Sequence, residues 1–71
     1  MTIGQRAWQE ICRMAEEEEI SCWRECRNLG IARKAVYEWR HNNKNPNADS
    51  LQKLCLMGYD VVYILTGERA K

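Results

Sequence analysis

The chain has 71 residues, of which 45% are hydrophobic and 30% are charged, and its formal net charge is +1. This length suits one small domain, and the apolar fraction is typical of a globular domain rather than a disordered tail. No apolar run approaches the roughly 18 residues that a membrane span needs, and the N-terminus lacks the apolar core of a signal peptide. We therefore expect a single domain over residues 1–71, located in the cytoplasm.

The charges are unevenly distributed along the chain. Residues 1–25 contain three arginines and six glutamates, a net charge of −3, whereas residues 26–46 contain five basic residues and one glutamate, a net charge of +4. Residues 47–71 are balanced, with three charges of each sign. The middle of the chain is thus predicted to form a local basic surface, as a nucleic-acid-binding segment does. The glutamate run 16–19 is expected to be a solvated helix end.

The N-terminal half contains the signals of two helices. Thr2 and Gln5 have the spacing of a capping box, and apolar residues then recur every three or four positions to about residue 18. These apolar residues are Ile3, Ala7, Ile11, Met14 and Ala15. Ile20 is expected to be buried where the chain reverses. Ser21 is a suitable N-cap for a second helix over about 22–28, which Gly30 ends.

Three further helices follow. A third helix is predicted over about 32–41, and its inner face consists of Ile31, Ala35, Val36 and Trp39. The segment 41–47 has the composition of a loop, and Pro46 prevents a helix from passing through it. Asn47 caps a fourth helix, which Gly58 ends; its predicted apolar side is Leu51, Leu54, Cys55 and Met57. Asp60 caps a short fifth helix over 61–65. No segment alternates with the period of a strand, so we predict an all-α fold of five helices.

The spacing around the second and third helices predicts a helix-turn-helix. Cys26 is small and precedes Gly30 by four positions, and Val36 and Trp39 anchor the inner face of the next helix. Gly30 is free to adopt positive φ in the turn. Two short helices joined in this way can place the second one in a DNA major groove.

From residue 20 to residue 67 the pattern resembles the lambda-repressor-like family of helix-turn-helix DNA-binding domains, which occurs in phage repressors and related regulators. The resemblance rests on Ile20-Ser21, Cys26, Leu29-Gly30-Ile31, Val36, Trp39, Pro46, Leu51, Gly58 and the ending Tyr63-Ile64-Leu65-Thr66-Gly67-Glu68. It implies a compact five-helix domain with a helix-turn-helix core over about 20–42.

The chain departs from the family pattern at three positions. Glu25 stands where the family usually has a buried apolar residue, Cys22 where it often has glutamine, and Asn42 where it often has glycine. We expect Trp23 or the aliphatic stem of Arg24 to fill the space at the first of these positions.

The resemblance also implies functional residues. The outward positions of the third helix would read base edges in the major groove: Arg33, Lys34 and Tyr37. Residues that flank this helix would contact phosphates and set the register: Ser21, Arg40, Asn42, Asn43 and Lys44. The C-terminal segment would form a homodimer contact through Val61, Tyr63 and Ile64. Trp8, Trp23 and Tyr63 are further candidates for contact with a partner.

These features predict a sequence-specific double-stranded DNA-binding regulator of phage or prophage repressor type. The alternative is a protein-interaction adaptor or antirepressor that keeps the fold without binding DNA. A basic surface over the third helix and the 42–44 loop favours the first interpretation, and an apolar or acidic one favours the second. Neither a catalytic set nor a phosphate-cradling glycine loop occurs, so we expect no enzyme activity, cofactor or small-molecule substrate.

The four cysteines are at positions 12, 22, 26 and 55, with no CxxC pair. Structural zinc sites usually combine two closely spaced ligand pairs, which this spacing does not supply. Cys12, Cys26 and Cys55 fall at apolar positions of predicted helices, where cysteine behaves as a small hydrophobe. We therefore expect free thiols in the core and no metal, with a zinc site or a disulfide as the alternatives.

Overall fold

A computed structural model describes residues 1–69, and these residues contain five α-helices and no strand. The helices are α1 (Ile3–Glu17), α2 (Cys22–Leu29), α3 (Arg33–His41), α4 (Ala48–Leu56) and α5 (Val61–Thr66). The prediction of an all-α fold with five helices is confirmed; the last two residues of the predicted domain lie outside the described part. The radius of gyration is 11.0 Å, close to the roughly 11 Å of a compact folded chain of this length.

The predicted helix caps account for where four of the five helices begin, while α3 follows Ala32, which makes no side-chain cap hydrogen bond. Thr2 and Gln5 form the capping box of α1, in which each side chain accepts a hydrogen bond from the backbone N–H of the other residue. Ser21, Asn47 and Asp60 cap α2, α4 and α5 in the same way, each through a side-chain oxygen that accepts from an N–H in the first turn. Short-range sequence signals therefore set these boundaries, since a cap satisfies N–H groups that no helical carbonyl reaches.

α1 is the central element and packs against α2, α3 and α5, while α4 contacts α5. The buried apolar stripe of α1 is the predicted one: Ala7, Ile11 and Ala15 are buried, and Ile3 and Met14 pack at its edge. The core is completed by Cys26, Leu29, Ile31, Val36, Trp39, Leu54, Tyr59 and Ile64.

The predicted apolar side of the fourth helix is partly wrong. Leu54 is buried and Leu51 is half-buried, but Cys55 and Met57 are exposed. α4 stops at Leu56, and the chain turns so that Tyr59 enters the core instead. A helix that ends this early needs only a narrow apolar stripe, because the connection to α5 supplies the remaining buried side chain.

Glu25 is itself buried, which corrects the expectation that Trp23 or Arg24 fills this space. Its side chain is 3% exposed, and one carboxylate oxygen accepts a 2.5 Å hydrogen bond from the Tyr59 hydroxyl. Burial raises the pKa of Tyr59 well above its usual value, and the neighbouring Glu25 carboxylate raises it further. The pair thus ties α2 to the α4–α5 connection through a hydroxyl that stays protonated and can donate.

A second buried carboxylate, Glu10, connects α1 to the C-terminal segment. Arg69 donates two hydrogen bonds to it, at 2.9 and 3.0 Å, and Arg13 donates two more, at 3.2 and 3.3 Å. Burial opposes ionisation of Glu10, but the hydrogen bonds from Arg69 and Arg13 outweigh it and lower the pKa of the carboxyl. Composition cannot reveal this arrangement, because a glutamate within an amphipathic helix usually faces solvent.

Candidate nucleic-acid interface

The turn between α2 and α3 ends α2 with a left-handed residue. Gly30 has φ 74° and ψ 27°. The N–H of Gly30 donates to the carbonyl of Arg27, and the N–H of Ile31 donates to the carbonyl of Cys26. These two bonds form a Schellman motif, in which glycine avoids the clash that a Cβ meets at positive φ. The turn also brings Ile31 into the core, so that α3 starts at Arg33 in a defined direction.

The outer face of α3 carries the predicted base-reading residues. An α-helix advances about 100° per residue, so positions 33, 34, 37, 40 and 41 occupy one continuous arc of roughly 120°. Arg33, Lys34 and Tyr37 are exposed, as predicted. The ring of Tyr37 lies 4.6 Å from that of His41, centre to centre. This arc contains three cationic side chains and no acidic one.

Two tryptophans from other helices support the cations of α3. The rings of Trp8 in α1 and Trp23 in α2 lie 5.0 Å apart. The Arg33 guanidinium is 4.5 Å from the centre of the Trp23 ring, and the Arg40 guanidinium is 4.5 Å from the centre of the Trp8 ring. Each distance is within the range of a cation–π contact. Within residues 1–69 neither arginine belongs to an ion pair.

Arg40 therefore has a more enclosed position than a phosphate-contacting residue on an open surface. It is half-buried and also lies 5.9 Å from the Trp23 ring. Trp8 and Trp23, two of the candidates for contact with a partner, are half-buried, pack against each other and hold Arg40 and Arg33. The spacing of these four residues along the chain does not predict that they cluster, because they come from three different helices.

The other predicted phosphate-contacting residues lie at the two ends of this face. Asn42, Asn43 and Lys44 follow α3 and are exposed, and Ser21 is exposed at the start of α2. The Asn42 side chain donates to the Glu38 carboxylate at 3.1 Å, and Asn43 adopts a left-handed φ of 56°. The Asn42 side chain is thus held within the chain, and the Asn43 backbone has a conformation that asparagine tolerates in a turn.

The loop after α3 is held against the start of α1 by close backbone packing at Gly4. The Gly4 N–H donates to the Asn45 side chain at 3.3 Å. A Cβ at Gly4 would lie 2.5 Å from the Lys44 carbonyl oxygen and 2.8 Å from the Trp39 Cβ. Only glycine fits here, so the position of the Lys44 backbone depends on a residue far from it in sequence.

Two arginines of α2 that are not among the predicted phosphate contacts extend this surface. Arg24 and Arg27 are exposed, and together with Ser21, Trp23 and Asn28 they line an open depression of about 500 Å³. Lys53 of α4 donates a 2.9 Å hydrogen bond to the Gly30 carbonyl at the turn. The excess of basic residues over 26–46 is the sequence feature that could have indicated this extension. It does not include Arg24, which precedes that segment, or Lys53, which follows it.

The predicted dimer contact is wrong for Ile64, which is fully buried in the core of the single chain. Val61 and Tyr63 are half-buried, and the Tyr63 hydroxyl donates to Gln9. The exposed apolar residues of this region are Leu56, Met57, Val62 and Leu65. The register of a six-residue helix depends on how it packs against α1, which its short apolar sequence could not determine.

The cysteines do not all enter the core. Cys26 is buried as predicted, and burial raises the pKa of its thiol to about 11. Cys12 and Cys22 are half-buried, and Cys55 is exposed, so the core prediction is wrong for Cys55. Across residues 1–69, no three His, Cys, Asp or Glu side chains are grouped as metal ligands.

Comparison of the chain with family models, curated proteins and solved structures finds no match. No helix of the described part has the length and apolar character to cross a membrane. Residues 1–69 define a small all-α domain in which α2, a short turn and α3 together present a basic face.

Proposed function

We propose that this domain binds double-stranded DNA in a sequence-specific manner, through a helix-turn-helix of the lambda-repressor-like type formed by α2 and α3. It acts as a transcriptional regulator of phage or prophage repressor type by occupying an operator. The observation that carries the proposal is the cationic outer arc of α3, with Arg33 and Arg40 each held against a tryptophan ring.

The arrangement suits DNA for two physical reasons. Arg33 opens α3, where an arginine can donate a pair of hydrogen bonds to guanine O6 and N7 in the major groove. Lys34 and Tyr37 share its face, and Lys44 continues the basic surface beyond the end of α3. Stacking on a ring reduces the conformational freedom that an arginine loses on binding, so less of the contact energy is spent on ordering it.

The charge of the exposed face also helps to choose between DNA binding and the adaptor function. The Glu25 carboxylate, which departs from the family pattern, is buried against Tyr59 and adds no charge to this surface. The surface over α3 and the 42–44 loop is basic rather than apolar or acidic, which favours DNA as the partner. We keep the adaptor as the function that remains if DNA binding fails.

The domain is proposed to act as a two-fold dimer. Val62 and Leu65 are exposed one turn apart on α5, and Val61 and Tyr63 are half-buried beside them. A symmetric contact through α5 would hold two copies of α3 about 34–36 Å apart, one turn of DNA. Sedimentation of wild type and of Leu65→Ser tests this; a wild type that stays monomeric at high concentration and binds one unrepeated site contradicts it.

Selection of binding sites from random duplex DNA tests the main proposal, followed by titrations across a salt series. Arg33→Ala should weaken binding by about 1–3 kcal/mol and relax the preference at one base pair. Lys44→Ala should weaken binding to all sequences alike and reduce the salt slope by about one. Glu16→Gln changes the charge of an exposed α1 side chain by one unit away from this surface and serves as the control. If wild type and variants bind every duplex equally poorly, the DNA-binding proposal fails.

A further inference from the structure

Two cysteine side chains meet between α1 and α2. The Sγ atoms of Cys12 and Cys22 are 2.9 Å apart, closer than the van der Waals radii of two sulfur atoms allow without a specific interaction. A disulfide bond is about 2.05 Å long, so bond formation needs an approach of about 0.9 Å. Both residues are free thiols in this structure.

The helices that carry the two thiols are firmly placed relative to each other. Trp8, one turn before Cys12, contacts Trp23, which directly follows Cys22. Between the helices the chain reverses through a fixed turn, in which the Ile20 N–H donates to the Ala15 carbonyl at 2.9 Å. Ser21 then caps α2. The sulfur contact is therefore a consequence of helix packing and not of two flexible side chains.

Accessibility distinguishes this pair from Cys26, and the contact between the two sulfur atoms distinguishes it from the exposed Cys55. Cys12 and Cys22 are both half-buried, so a small reagent can reach them, whereas Cys26 is buried. Cys22 is the first residue of α2. Burial raises the pKa of the Cys12 thiol to about 12, and the adjacent Cys22 thiol adds to this effect. Because burial penalises the thiolate of Cys12, Cys22 is the member of the pair that attacks first.

We propose that Cys12 and Cys22 form a reversible intramolecular disulfide by exchange with a low-molecular-weight disulfide such as oxidised glutathione. The Cys22 thiolate attacks one sulfur of the reagent, which forms a mixed disulfide at Cys22 and releases one thiol. The Cys12 thiol then loses its proton and attacks the Cys22 Sγ, which releases the second thiol. The two protein thiols are oxidised by two electrons in total, and the reagent is reduced to two thiols.

The bond would change a defined part of the fold. It closes a loop of residues 12–22, which contains the end of α1 and the glutamate run, and it joins α1 to α2 beside the tryptophan pair. Closing a loop of this size restricts the unfolded chain, and the expected rise in Tm is on the order of 10 °C. A reducing agent should reverse the rise.

The experiment exposes the reduced 71-residue chain to a series of ratios of oxidised to reduced glutathione. Blocking of the remaining thiols, proteolysis and mass spectrometry then identify the linked peptides. The expected linked peptides have lost the mass of two hydrogen atoms and contain a Cys12–Cys22 link. Cys26 stays open to alkylation after unfolding, and the exposed Cys55 carries at most a glutathione adduct. The C26S/C55S double variant should form the same link and serves as the matched control.

Single variants separate the two steps. C12S should stop at a glutathione adduct on Cys22, because the resolving thiol is missing, while C22S should leave Cys12 unmodified at the same ratio. Since peptide mapping of the wild type needs no variant, the test stands even if a variant folds poorly. A Cys22–Cys26 link, a disulfide between chains through Cys55, or four free thiols at the most oxidising ratio would each overturn the proposal.

Discussion

Arg33 and Trp23 connect the first turn of α3 to α2, with the guanidinium 4.5 Å from the centre of the indole ring. A contact of this kind is worth about 0.5–1 kcal/mol at a partly exposed site. A double-mutant cycle with Trp23→Leu and Arg33→Gln, followed by urea unfolding, should give a coupling energy of that size.

Lys34 provides the control for this cycle. It adjoins Arg33 in sequence and is exposed. Trp23→Leu combined with Lys34→Gln removes the same charge, and we expect a coupling energy within about 0.3 kcal/mol of zero. Equal coupling in the two cycles would mean that the tryptophan responds to net charge alone and does not hold Arg33.

Tyr59 and Glu25 allow a test of the buried polar contact. Tyr59→Phe removes the donor and leaves a buried carboxylate oxygen without its partner, which should cost about 1–3 kcal/mol of unfolding free energy. Adding Glu25→Met should restore much of this loss, because replacing both partners with apolar groups removes the desolvation penalty. Tyr63→Phe, which removes an exposed hydroxyl contact to Gln9, should cost less than about 0.5 kcal/mol. A double variant less stable than Tyr59→Phe would contradict this account.

Glu10 should make stability depend on acidic pH. Its pKa is lowered in the folded state, so its contribution is fully present above the ordinary carboxyl value of 4.5 and is lost as the pH falls through the folded-state pKa. At pH 7, Glu10→Gln should lower the unfolding free energy by about 1–2 kcal/mol. The difference from wild type should shrink in denaturant titrations at progressively lower pH.

Glu17 is the matched control, because it also accepts from Arg13, at 3.1 Å, but is exposed. Glu17→Gln should change stability by no more than about 0.5 kcal/mol at any of these pH values. A pH-independent effect of Glu10→Gln would show that packing, and not the charge, accounts for the contribution of Glu10.

Glu19 has a left-handed backbone, with φ 59°, where the chain leaves α1. A residue with a Cβ is strained there by about 1–2 kcal/mol, so Glu19→Gly should raise the unfolding free energy by about 0.5–1 kcal/mol. Glu18→Gly removes the same charge at a right-handed position, with φ −90°, and should lower it by a similar amount. Thermal unfolding of the two variants tests this prediction, and Tm shifts of the same sign would contradict it.

Local signals in the sequence predicted the helices well. Ser21, Asn47 and Asp60 each satisfy an N–H group only three residues away, and Gly30 permits a turn that its own backbone makes. Each of these interactions is complete within a few residues of the chain. The five helices and the apolar stripe of α1 could therefore be predicted without knowing how the helices pack.

The candidate surface was predictable only in part. The exposure of Arg33, Lys34 and Tyr37 follows from the periodicity of α3, since the opposite face carries Val36 and Trp39. The support that Arg33 and Arg40 receive from Trp8 and Trp23 does not follow from it. That support depends on how three helices cross. Contacts between side chains that are far apart in sequence cannot be predicted from the periodicity of a single helix.

The number, type and approximate ends of the helices follow from local sequence signals, as does a basic segment in the middle of the chain. Helix packing is the reason that Glu10 and Glu25 are buried with polar partners, that Ile64 faces the core, and that Cys12 meets Cys22. Periodicity identifies which residues share a face of a helix, but whether that face is covered depends on the neighbouring helices. In a chain of 71 residues a few such contacts occupy much of the interior, so packing decided most of what is distinctive about this domain.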